Sequence, residues 1–175
     1  MGLFSKKPQP EPQEAPITVT DADLPQASDL VLAFLTSVGN DRALHYAGLQ
    51  IALASGAPTL EDVTAGRAPF SAIDRPWKWL AAVAERAASA NDPLLAGRVA
   101  WLALFWTVTL APRMGIGNMI EMRMDPPKGD VLPRIYTAAA QALPRLPGDA
   151  IIIDHPTGTV RVDAVLTHVT RALQK

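Results

Sequence analysis

The chain has 175 residues, about half of them apolar, with 16 basic and 17 acidic side chains, a net charge of −1, three histidines and no cysteine. Disulfides and thiolate metal sites are therefore excluded, and nucleic-acid binding lacks the clustered Lys and Arg that phosphate neutralisation needs. The length suits one domain with a sizeable core plus a tail.

Residues 1–27 hold five of the 16 prolines, and no large apolar residue occurs between Lys7 and Pro16. Such a segment buries too little surface to offset its ordering entropy. It is expected to be a disordered, Pro-rich tail ahead of a single helical domain over 28–175. Its first stretch, MGLFSKK, pairs Leu3 and Phe4 with two lysines. That is either an ordinary solvated start or a short membrane-touching or partner-docking peptide on a leash. Lys6 stands where a myristoylation signal wants Ser or Thr, and no apolar signal-peptide core is read. A cytoplasmic, bacterial-looking protein is the default expectation.

The stretch SDLVLAFLTSVGN reads as a helix capped by Ser28, favoured at its start by Asp29 and ended by Gly39. In DRALHYAGLQIALASG, Asp41 is the expected cap, Leu44, Ala47, Gly48, Ile51 and Ala54 recur at helical spacing, and Gly56 is the stop. TLED, from Thr59, has the form of a capping box for one turn. Residues 66–73 read as loop. A helix follows from Asp74, with Pro76 in its first turn and a face of Trp77, Leu80, Ala81, Ala84 and Ala88.

Asp92-Pro93 opens the next helix and Pro112 closes it. Its run Val99 to Ala111 carries no charge. A membrane span needs about 20 apolar residues, so a buried central helix built on Trp101, Phe105 and Trp106 is the expectation. An interfacial or inserted helix is the runner-up.

Met114, Met119, Met122 and Met124 cluster in the segment MGIGNMIEMRM, between Gly115 and Gly117 on one side and Pro126, Pro127 and Gly129 on the other. Methionine fills irregular gaps and also suits adaptable binding surfaces. The cluster is therefore read as packing beneath the apolar helix or as a pliable groove that meets a partner. Asp130 can cap a helix through Leu143, with Leu132, Ile135, Ala139 and Leu143 as its stripe.

The stretch IIIDHPTGTVRVD reads as a β-hairpin over about 150–162. Three strand formers precede His-Pro-Thr-Gly, Gly158 needs positive φ, and Val160 and Val162 alternate afterwards. Asp154 and His155 then flank an exposed turn, which supplies neither the partner nor the walled pocket that a general base requires. Asp163 is the expected cap of a closing helix carrying Val165, Leu166, Val169, Ala172 and Leu173.

These elements predict a mainly α fold: an irregular helical bundle of about six to seven helices with one late hairpin. Short connections pair 28–38 with 41–55 and 75–90 with 93–111 as antiparallel neighbours. The pairs share no residue-level similarity, which argues against a repeat array. Helices followed by a hairpin also match the layout of a winged-helix DNA reader, but residues 131–143 carry only Arg134 as a charge.

No HExxH, CxxC, GxGxxG, GxxxxGK[ST] or GxSxG motif occurs. His45, His155 and His168 are scattered, and the carboxylate pairs Glu61–Asp62 and Glu121–Asp125 read as solvated surface. No catalytic, cofactor or metal residue is assigned. The expected function is that of a non-enzymatic interaction or adaptor protein, part of a larger assembly and contacting a protein partner. Its candidate contacts are Leu3, Phe4, Met114, Met119, Met122 and Met124. The alternatives are a membrane-peripheral component that uses Leu3 and Phe4, and an enzyme with a dispersed site.

Overall fold

The computed structural model describes residues 14–155 and 158–175. Among the described residues are eight α-helices and one two-stranded antiparallel sheet. In chain order they are α1 (Leu24–Thr36), α2 (Asp41–Ala54), α3 (Leu60–Thr64), α4 (Arg75–Ser89), α5 (Pro93–Phe105), α6 (Ile116–Met122), α7 (Val131–Ala142), β1 (Ile151–His155), β2 (Gly158–Arg161) and α8 (Val162–Leu173). The mainly α bundle with a late hairpin is what the periodicities predicted. The additional helix is α6, in the methionine segment.

α4, α5 and α7 pack on one another at the centre. Alanines make this possible: Ala81, Ala84, Ala88, Ala96, Ala100, Ala103, Ala138 and Ala139 are all buried, so the helices approach closely. Trp77 and Trp106 fill the space that the alanines leave at one end, with ring centroids 5.7 Å apart and planes tilted by 60°. Such tilted pairs suit the ring quadrupoles. Both indole N–H groups are buried without a hydrogen-bond partner, at a cost of about 1–3 kcal/mol each. The predicted pairs α1–α2 and α4–α5 are both in contact, α8 covers α7, and α1 lies on α5.

The apolar run is only partly a core. Beyond Phe105 the helix widens into a π-helical stretch, Trp106–Leu110, and then tightens into a 3-10 turn, Ala111–Arg113. Trp106 is buried, whereas Trp101 and Phe105 are half-buried and Val108 is 73% exposed. By length and composition, Pro93–Arg113 could cross a membrane, and half of its most apolar window is buried inside the protein.

A lone hairpin is marginal in water, and here the helices hold it. Pairing runs Ile153↔Val160, Asp154↔Thr159 and His155↔Gly158, with a register shift between Ile151 and Ile153. That irregularity lets the successive residues Ile152 and Ile153 both be buried. Arg98 Nε donates to the Ile152 carbonyl at 2.9 Å, which fixes β1 to α5. Gly158 has φ +136°, the positive value expected there. Residues 156 and 157 of the turn lie outside the described residues.

Four sequence expectations need correction. Order does not begin at Ser28: α1 starts at Leu24, and Ser28 lies inside it. Glu14 pairs with Arg75 and Lys78, and Asp21 with Arg86, while Ile17 and Val19 pack on the core. Residues 14–27 are thus held by ion pairs as well as by apolar burial, and a count of apolar residues overlooks the former. Residues 1–13 lie outside the described residues. The cap of α2 is Asn40, whose Oδ1 accepts from the Ala43 N–H at 3.1 Å, in place of Asp41. Asp163 sits in the first turn of α8, two residues past the cap position, which Arg161 holds. Asp74 stands at the start of α4 but makes no cap hydrogen bond, because its carboxylate faces Lys78 Nζ at 2.9 Å.

Candidate functional site

Two excursions leave the helical core, residues 55–74 between α2 and α4 and residues 106–130 between α5 and α7. The first carries α3, closed by its capping box: Thr59 Oγ1 donates to Asp62 Oδ2 at 2.6 Å, and the Asp62 N–H donates to Thr59 Oγ1 at 3.0 Å. The Thr59 hydroxyl, the Arg67 guanidinium and the Thr59 N–H, all donating to it, hold the Asp62 carboxyl down at a pKa of about 2. The second excursion carries α6, which lies against α2.

α6 has two apolar faces. Met122 points inward and is fully buried, Met119 is half-buried on the same side, and Met124 is fully buried just beyond. Ile116 and Ile120, one turn apart, point outward and are 73% and 40% exposed. Across from them stand Leu60 and Phe70, 50% and 67% exposed, with Ala57, Pro58 and Ile73 below. Together these side chains line a groove of about 320 Å³. Single exposed apolar residues are ordinary, but several around one concavity mark a binding surface.

Three charged residues edge the groove. Arg123 ends α6 with φ +59°, and its Nη1 donates to the Pro58 carbonyl at 3.2 Å, tying the two walls together. Lys128 Nζ lies 5.3 Å from the Phe70 ring centroid, a cation–π distance. Asp125 is half-buried. Desolvation pushes its carboxyl above the usual range, nearby Asp74 adds to that, and Lys128 opposes it.

Lys128 also borders a second, more polar cleft of about 520 Å³, with Glu14, Asp74, Lys78, Asp130 and Arg134 in its walls. Lys78 pairs with Glu14 and Asp74 within it, and Arg134 pairs with Glu85 outside it. Lys78 Nζ lies 2.8 Å from Glu14 Oε2 and 2.9 Å from Asp74 Oδ1, and Arg134 Nε lies 2.7 Å from Glu85 Oε1. Burial alone would lower the Lys78 pKa, but the two carboxylates outweigh it and the net shift is upward. This cleft is an ion-pair network that fastens residues 14–17 to α4.

The structure sorts the candidate contacts as follows. Met122 and Met124 are core residues and cannot meet a partner without unfolding α6. Met114 and Met119 are half-buried against that core. Leu3 and Phe4 lie outside the described residues. His45 is half-buried on α2, His168 is exposed on α8, and Asp154 is exposed. Among the described residues, no group of three His, Cys, Asp or Glu is placed to hold a metal ion. The groove residues that the sequence reading missed are Leu60, Phe70, Ile73, Ile116 and Ile120. The i, i+4 isoleucines beside the methionines were the available signal.

In comparisons with known proteins, the chain matches no family model, no curated protein and no solved structure.

Proposed function

We propose that this protein is a non-enzymatic interaction module that holds a short peptide of a partner protein in the groove between α3 and α6. The observation that carries this reading is the gathering of Leu60, Phe70, Ile116 and Ile120, all exposed, around one concavity. Apolar anchor side chains gain most of their binding free energy in such a site, and a few charged groups at the edge set orientation. Arg123, Asp125 and Lys128 are the charged groups at this edge. An adaptor role within a cytoplasmic assembly goes with this reading.

The test is selection from a library of random short peptides, run against the wild type and against the double variant Phe70→Glu/Ile116→Glu. Enriched peptides should carry one or two large apolar residues. They should be lost on the double variant. Enrichment that ignores the variant, or no enrichment at all, overturns the reading. Flotation with neutral and anionic phospholipid vesicles serves as a control. Vesicle binding abolished by the same variant would assign the groove to a membrane surface instead.

A further inference from the structure

The described chain begins beside the groove. Glu14 Oε1 lies 3.3 Å from Arg75 Nη1, and Arg75 Nε donates to the Ser55 carbonyl at 3.0 Å. Two and three residues after Ser55, Ala57 and Pro58 line the groove, a step of about 7–10 Å at full extension. Lys128 borders both the groove and the cleft that holds Glu14 and Ala15. The anchor of the preceding segment is thus one arginine side chain and two or three residues away from the apolar floor.

Nine residues separate Phe4 from Glu14. They can span roughly 30 Å even at the polyproline II rise, more than that distance requires. What they carry matches the site. Leu3 and Phe4 are the large apolar residues of the segment, and Lys6 and Lys7 follow them. The groove offers Phe70, Ile116 and Ile120 to the apolar pair, and its edge holds Arg123 and Lys128 beside Asp125.

We infer that Leu3 and Phe4 dock in the groove of their own chain and that a partner peptide must displace them. This inference rests on the reading of the groove as a peptide site. A tether of this length supplies an effective concentration on the order of 1 mM. A segment that binds in trans at about 100 µM would then occupy its own groove roughly nine-tenths of the time. It would weaken a competing peptide roughly tenfold.

The experiment uses the full chain with its isoleucine δ1 methyls labelled for NMR, as wild type and as the double variant Leu3→Ser/Phe4→Ser. The expected result is a shift of the Ile73, Ile116 and Ile120 methyls in the variant, with the core methyls of Ile135 and Ile152 unmoved. A synthetic peptide of residues 1–9 should then return the variant's groove methyls to their wild-type positions. It should bind the variant roughly tenfold more tightly than the wild type. Unchanged groove methyls in the variant, or equal affinities, overturn docking in cis. So does a wild-type spectrum that changes on dilution, which would place the segment in a second copy. If docking fails while peptides from the library still bind through Phe70 and Ile116, the groove reading stands. If no peptide binds either form, both fall.

Discussion

Gly48 of α2 and Met122 of α6 meet so closely that a Cβ on Gly48 would lie 2.5 Å from Met122 Cγ and 2.7 Å from the Met122 carbonyl oxygen. The absent side chain is what lets α6 lie down on α2, and α6 in turn presents Ile116 and Ile120 to the groove. Gly48→Ala would gain about 1 kcal/mol of helix propensity, but overpacking costs about 1–3 kcal/mol, and a backbone carbonyl cannot swing aside. The expected net is a loss of up to about 2 kcal/mol in urea unfolding, together with weaker peptide binding. Gly97→Ala is the internal comparison. There the close atoms, at 2.7 Å, are the side-chain ends Ile152 Cδ1 and Leu143 Cδ2, which can rotate. It should cost less than Gly48→Ala, and the reverse order would contradict this account.

The two faces of α6 separate packing from binding. Met122→Glu places an unpaired charge in a fully buried position, and should cost about 3 kcal/mol or more. Ile116→Glu, on the exposed side of the same helix, should stay within about 0.5 kcal/mol of wild type and abolish peptide binding. Circular dichroism melts of the two variants decide the matter. Similar melting of both would show that the outward face of α6 is not free.

Asp125 carries a pH signature. Its folded pKa lies above the ordinary carboxylate value of 3.8, first because of burial. The neutral form is thus favoured by folding. The associated stability is full below pH 3.8 and is lost as pH rises through the raised value. Asp125→Asn should therefore melt higher than wild type at pH 7, with the gap closing as pH falls toward 3.8. A gap of the same size at both ends would show that the cause is something other than the carboxylate's charge.

At the hairpin, a Cβ on Gly158 would meet nothing within 4 Å, so Gly158→Val has no clash to relieve. Its cost is the backbone strain of φ +136° alone, on the order of 1–2 kcal/mol. A thermal melt should fall accordingly while the groove keeps its affinity for peptide. An unchanged melt would show that the hairpin adds nothing to stability.

Most of the helices were legible in the sequence because their signals act within a turn or two. Asp92 before Pro93, the Thr59–Asp62 box and the apolar spacing of Trp77, Leu80, Ala81, Ala84 and Ala88 all speak through neighbours three or four residues away. The need for positive φ at Gly158 was legible for the same reason. Other features depended on partners far along the chain. Glu14 and Asp21 order their segment through Arg75 and Arg86, 61 and 65 residues on. Trp101 and Trp106 share one uncharged run, yet only Trp106 is wholly enclosed. In α6 the exposed polar pair Asn118 and Glu121 has apolar residues on both flanks, so it did not mark which flank faces out. Gly48, 74 residues before Met122 and free of a Cβ, turned the methionines inward and left the isoleucines exposed. Periodicity records that a residue is apolar, whereas burial depends on which distant surface comes to cover it.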